Sequence, residues 1–218
     1  MYKKVCLPLN QFRKAEKIEG SKDENSDKSA ILFDVEKRII FISEEIYEDD
    51  GILFEQAVEL ISDYIPEDAD SEYVPEPLTK LEIHINSDGG SVTAGLNIIS
   101  QIEDLKKNGV EVVTFVKEKA CSMAFLIAIA GSYRKARKYA KLMLHPSWYL
   151  LSKETPLTIS TLRDFIKDSD KSWMIFEEFV LSCTRFTKKQ LKHIYKSCDD
   201  YVMDTKEALE KSCIDEIV

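Results

Sequence analysis

The chain has 218 residues, 44% of them hydrophobic, and carries 39 acidic against 30 basic side chains for a formal net charge of −9. That length supports one sizeable α/β core and does not require a second domain. The acidic balance argues against a protein built to grip nucleic acid, which takes clustered Lys and Arg to neutralise phosphates, and accommodates a peptide or protein partner more easily.

Residues 1–30 are polar and charged, and the run Lys22-Asp23-Glu24-Asn25-Ser26-Asp27-Lys28 is too poor in apolar groups to repay its ordering entropy. The expectation is a flexible N-terminal arm over 1–30 and a folded domain over 31–218. Ile31-Leu32-Phe33-Asp34-Val35 and Arg38-Ile39-Ile40-Phe41-Ile42 are β-branched and aromatic runs split by Glu36-Lys37, and read as two short strands. Phe54, Val58, Leu60, Ile61 and Tyr64 recur at helical spacing and stop at Pro66. Glu67 to Pro77 is acidic, holds Pro75 and Pro77, and reads as a loop or insertion.

Leu81, Ile83 and Ile85 alternate with Glu82 and His84, the period of a half-buried strand, and lead into Asn86-Ser87-Asp88-Gly89-Gly90. Val92, Leu96, Ile99, Ile102 and Leu105 then mark a helix ending at Asn108-Gly109. The unit repeats: a β-rich run from Val110 to Val116, then Ala120-Cys121-Ser122-Met123, an apolar stretch to Gly131, and the strand Leu142-Met143-Leu144. Such alternation implies parallel crossovers with helices covering a sheet. From Leu157 to Val180, Leu162, Phe165, Ile166, Trp173, Phe176 and Phe179 outline a long amphipathic helix. Thr187 with Gln190, and Asp204 with Glu207, read as capping boxes opening two more helices.

Gly89-Gly90 alone suits any tight turn, but a turn without side chains also lets a substrate approach the backbone, leaving an amide to donate. No GxxxxGK[ST] follows, so it is not a phosphate loop. Ser122 stands where a strand gives way to an apolar helix; on its own it reads first as an N-cap. Of three histidines, His145 directly follows a strand and precedes Pro146, at the carboxyl edge where open α/β sheets gather their sites. His84 reads as a satisfied partner within a strand, and His193 as a surface residue of a charged helix. No HExxH or Cys/His spacing suggests a metal, and no cofactor is expected.

The five cysteines show no CxxC pairing and the chain opens without a secretory pattern, which together point to a reducing cytoplasm. The longest apolar run, around Ala124 to Ala130, is far short of the roughly twenty residues that cross a bilayer, so no membrane partner is expected.

Three segments together resemble the proteolytic subunits of the Clp protease, the ClpP family. Asn86-Ser87-Asp88-Gly89-Gly90-Ser91-Val92-Thr93-Ala94-Gly95 is similar to the family's Asn-Ser-Pro-Gly-Gly-Ser-Val-Thr-Ala-Gly, and Ala120-Cys121-Ser122-Met123 to its Ala-Ala-Ser-Met. Met143-Leu144-His145-Pro146 is similar to the segment carrying its histidine, and Arg38-Ile39-Ile40-Phe41 to an early strand. The resemblance runs from about Ile31 to the C-terminus. It implies a crotonase-type α/β fold of repeated ββα units, with a protruding handle helix docking subunits into stacked rings. It also implies a serine endopeptidase acting on unfolded polypeptide, with Ser122 as nucleophile, His145 as general base, and the Gly90 and Met123 amides as oxyanion hole. The N-terminal arm falls where the family meets an AAA+ unfoldase, which would spend the ATP.

Two departures bear on the site. Alignment on Met203 and Glu207-Ala208 places Lys196 where the family's aspartate lies, and a one-residue shift places Ser197 there; neither is an acid. Asp199 or Asp200 is the candidate to orient His145, with a dyad or a degenerate scaffold subunit of a mixed ring as alternatives. Ala124 replaces a usual glycine, where its methyl would narrow the site. An acyl-CoA-binding relative of the crotonase group remains the competing reading from another class; it explains the glycines but gives Ser122 and His145 no joint purpose.

Overall fold

The computed structural model describes residues 29–66, 69, 74, 76–146 and 158–218. Apart from Ser29 and Ala30 the expected arm lies outside the described residues, as do most of the acidic stretch after Pro66 and Leu157 at the head of the long helical pattern.

β1 (Ile31–Asp34) and β2 (Ile39–Ile46) form an antiparallel hairpin, Ile31 opposite Ile42 and Asp34 opposite Ile39. Its turn closes with Arg38 at φ 55° and with the Lys37 N–H donating to the Asp34 carboxylate at 3.1 Å. Helix α1 (Asp50–Ser62) begins four residues before the apolar pattern does. Asp50 explains the early start: its carboxylate is fully buried and accepts from Ser29 Oγ at 2.7 Å, from the Tyr47 N–H at 2.7 Å, and from the Ala30 N–H at 3.2 Å. A buried carboxylate is tolerable only with such donors. This one also pins Ala30, itself buried, against the helix start.

The sheet continues in parallel through β3 (Lys80–Gly90), β4 (Glu111–Cys121), β5 (Tyr133–Ala136) and β8 (Glu216–Ile217). α1 and α2 (Val92–Lys107) are the crossovers into β3 and β4. β4 forks: Val113–Val116 pair with β5, whereas Lys119–Cys121 pair in parallel with β6 (Lys141–Leu144). β6 is edged by antiparallel β7 (Tyr201–Met203). β5, β7 and β8 carry little apolar alternation of their own, so only pairing with neighbours reveals them.

All seven residues of α3 (Met123–Ile129) are buried, which accounts for an apolar run without helical period. It packs against β3, β4 and α2 in a core with Phe54, Phe125, Ile83 and Ile98, side chains each worth about 1.5–3 kcal/mol on burial. α4 (Ile159–Cys183) opens on a reciprocal cap between Thr158 and Thr161. Its second half buries Trp173, Phe176 and Val180 on the subunit's own core, while Ile159, Leu162 and Ile166 on its first half are exposed. Trp173 and Phe176 thus cover the subunit's own core, and the tryptophan ring stacks on Tyr195 at 5.1 Å.

α5 (Lys188–Ser197) has the full Thr187–Gln190 capping box. At α6 (Thr205–Glu210) only half the expected box forms: Asp204 accepts from the Glu207 N–H, while the Glu207 carboxylate instead takes the Tyr201 hydroxyl.

Arg134 ties the last strand to this frame. Its Nε and Nη2 donate to the Asp215 carboxylate at 2.9 and 2.7 Å, and its Nη1 to the Cys183 carbonyl at 2.8 Å. Burial pushes the Asp215 carboxyl up, but the guanidinium more than offsets this and holds it below the ordinary carboxylate value. A depressed carboxyl stabilises the fold above its unfolded value and loses that contribution as pH falls through the folded one. Arg134→Ala is thus expected to cost about 2 kcal/mol at neutral pH, the loss shrinking below about pH 4, as denaturant titrations at both pH values would show.

Candidate active site

The site grows from the fork in β4. Carrying the Cys121–Met143 register one residue on sets Ser122 beside Leu144, and the Ser122 N–H donates to the Met143 carbonyl at 2.9 Å. Ser122 and His145 therefore leave the carboxyl ends of adjacent parallel strands, and both are half-buried.

Ser122 occupies the N-cap position of α3 but does not cap it: its side chain makes no capping hydrogen bond, and its backbone sits at φ 55°, ψ −125°. A non-glycine residue pays strain for that conformation, which belongs to sharp strand-to-helix turns that lift a side chain clear of the sheet. The turn is held by the Met143 bond on one side and by the Phe125 N–H donating to the Ser122 carbonyl at 3.0 Å on the other. The capping role read from sequence is thus replaced by an elbow.

The glycine turn lies directly against this elbow. Gly89 has φ +96°, and a Cβ there would fall 2.6 Å from the Cys121 carbonyl oxygen, 2.7 Å from Ser122 Cβ and 3.0 Å from the Met123 nitrogen. Gly90 has φ +145°, and a Cβ would fall 2.2 Å from the Ile46 carbonyl oxygen. Both positions demand glycine, for conformation and for space. The Gly89 N–H is already engaged by Ser87 Oγ at 3.0 Å, and the buried Ser87 hydroxyl in turn donates to the Glu44 carbonyl. The Met123 amide is the first of α3, with no acceptor inside its own helix. Gly95 lets α2 close on the Met123 side chain, since a Cβ there would lie 2.5 Å from Met123 Cε.

The antiparallel β6–β7 ladder ends on the pair Leu144–Tyr201, and His145 and Asp200 are the residues that adjoin that last pair on the two strands. Burial raises the Cys121 thiol's pKa, and the charges of Asp88 and Asp200 add to that rise while Lys119 opposes it. Lys196 is exposed on α5, and Ser197 Oγ is occupied by the Ile194 carbonyl at 3.2 Å and the Asp199 N–H at 3.3 Å. Cys198, left-handed at φ 57°, turns the chain from α5 into β7 and so delivers Asp199 and Asp200 to the strand's start.

Ala124 is fully buried within the core. His84 is a satisfied partner: its Nε2 lies 3.1 Å from Glu82 Oε2 and its ring meets Phe41 and Phe115 edge-on at 5.1 and 5.5 Å. Burial lowers its pKa despite the glutamate. His193 is exposed. Among the described residues no three His, Cys, Asp or Glu side chains converge as a metal site, and no helix is long and apolar enough to cross a membrane. Sequence reasoning missed one feature, the ion pair between Asp88 and Lys119 on the rim of the turn. The only signal was an acid in the position of a proline.

A family model for the Clp protease matches residues 22–218. The chain belongs to the Clp protease family. It is 29% identical over 188 residues to ATP-dependent Clp protease proteolytic subunit 2 of Prochlorococcus marinus (strain MIT 9312), covering 84% of this chain and 81% of that one. It is 29% identical over 186 residues to proteolytic subunit 3 of Synechococcus sp. (strain CC9605), covering 84% and 82%. A Streptococcus uberis (strain ATCC BAA-854 / 0140J) proteolytic subunit is 31% identical over 144 residues, covering 62% and 67%. Membership in the Clp protease family fits the α/β sheet with its long helix and supports a serine-type endopeptidase. The family match begins nine residues before Ile31.

Proposed function

We propose that the chain is a serine endopeptidase subunit that hydrolyses unfolded polypeptide inside a ring oligomer, with Ser122 as nucleophile, His145 as general base and Asp200 as the acid that orients it. The observation that carries this reading is the strained Ser122 elbow, set between the Gly89-Gly90 turn and the strand that ends at His145. His145 removes the Ser122 hydroxyl proton as the oxygen attacks the scissile carbonyl, and returns it to the leaving amine as the acyl-enzyme forms. Water then attacks the ester with the same histidine as base. The developing oxyanion is held by the Gly90 and Met123 amides, which lie on the two backbones that Gly89 brings together. Asp200 is preferred to Asp199 because it adjoins Tyr201, the partner of Leu144 in the last β6–β7 pair, as His145 adjoins Leu144.

The exposed Ile159, Leu162 and Ile166 on the first half of α4 are a face suited to a second copy of the chain, in keeping with stacked rings. Relatives described as ATP-dependent proteolytic subunits make an AAA+ unfoldase the expected partner, in the cytoplasm, with ATP spent by that partner.

Size-exclusion fractions assayed with an internally quenched peptide and a reduced, alkylated polypeptide test this. Cleavage confined to the oligomer is expected. Full activity in a stable monomer contradicts the oligomer requirement, assembly without cleavage supports a scaffold subunit, and saturable acyl-CoA binding without cleavage supports the crotonase-type alternative.

A further inference from the structure

We propose that the Asp88–Lys119 ion pair is a positioning clamp for catalysis, holding the glycine turn that bears the Gly90 amide against the strand that leads into Ser122. The inference rests on the roles of Ser122 and Gly90 proposed above. The β3–β4 ladder slips between Ile85 and Ser87, and its last paired residues are Ser87 and Ala120. Beyond that point the turn is tied to β4 by side chains: Lys119 Nζ donates to Asp88 Oδ2 at 2.5 Å. Asp88 stands two residues before Gly90 and Lys119 three before Ser122, so the pair brackets both halves of the site.

A turn this close to the nucleophile has no room to drift, since an added Gly89 Cβ would already lie 2.7 Å from Ser122 Cβ. Proline, the residue that the resembling motif has at position 88, would restrain the turn through its own ring; aspartate carries no such restraint. The ion pair supplies it across strands. Glu44 adds to the pull on the lysine from the flanking strand, and its carbonyl takes the Ser87 hydroxyl. With side chains 66% and 40% exposed, the pair contributes little to global stability, so its effect belongs to the local geometry of the turn.

The test measures kcat, KM and thermal midpoint of the assembled protein as wild type, Asp88→Asn, Lys119→Met, the double variant, and Asp88→Pro with Lys119→Met. Each single change is expected to lower kcat about three- to tenfold with KM and midpoint unchanged, the double to be no worse than the worse single, and proline to restore kcat. Multiplying effects in the double variant, a loss carried by KM, or a matching fall in midpoint overturns the clamp. Ser122-dependent turnover that Asp88→Asn leaves intact overturns the clamp alone. Wild-type protein without Ser122-dependent turnover overturns the underlying reading and the clamp with it.

Discussion

Asp200→Asn is expected to lower kcat for peptide hydrolysis by about a hundredfold to ten-thousandfold, while Asp199→Asn stays within about threefold of wild type. The two acids are neighbours in sequence and both are exposed in the isolated subunit, so composition and burial do not separate them. Register does. Leu144 pairs with Tyr201 and Met143 with Val202, and carrying that ladder one step past its last pair would match His145 with Asp200 and not with Asp199. Asparagine keeps the size of the side chain but removes the charge that stabilises an imidazolium, and it can present its amide nitrogen to the ring in place of an acceptor. Steady-state kinetics on the two single variants, with thermal midpoints as a check on folding, decide the matter. Equal losses, or a larger loss at Asp199, contradict the register argument; no loss at either points to a dyad.

Gly89→Ala is expected to reduce turnover by about a hundredfold to a thousandfold, the range seen when one oxyanion donor is lost. The added methyl would meet the Cys121 carbonyl oxygen at 2.6 Å and the Ser122 Cβ at 2.7 Å, both on a backbone anchored to β6, at a φ of +96° that alanine resists. The turn must move, and the Gly90 amide moves with it. The loss should appear in kcat and in the rate at which a fluorophosphonate labels Ser122. Wild-type labelling in a folded Gly89→Ala protein would show that the turn takes no part in stabilising the oxyanion.

Much of the fold was legible because its signals are local. The alternation of Leu81, Ile83 and Ile85, the helical spacing after Gly90 and the Thr187–Gln190 box each depend on neighbours in sequence. β5, β7 and β8 were not legible, because segments of two to four residues are too short to show a period and become strands only when a partner supplies the hydrogen bonds. Asp50 likewise reads as a surface acid until Ser29, Ala30 and Tyr47 converge on it. At the site, the motifs named Ser122, His145 and Gly90. They could not show that Ser122 is an elbow and not a cap, because φ 55° follows from bonds to Met143 and Phe125. Nor could they choose between Asp199 and Asp200, since the argument for Asp200 draws on a ladder that joins segments some fifty-five residues apart.

The central claim is that Ser122 is a nucleophile activated by His145. Mass-spectrometric mapping of the adduct formed when the assembled protein meets a fluorophosphonate tests it most directly, with Ser122→Ala and His145→Ala alongside. The account predicts one adduct, on the peptide containing Ser122, absent in Ser122→Ala and slowed by at least about a hundredfold in His145→Ala. Labelling of Ser122 at the same rate in His145→Ala, or no adduct at all in the assembled wild type, would contradict it.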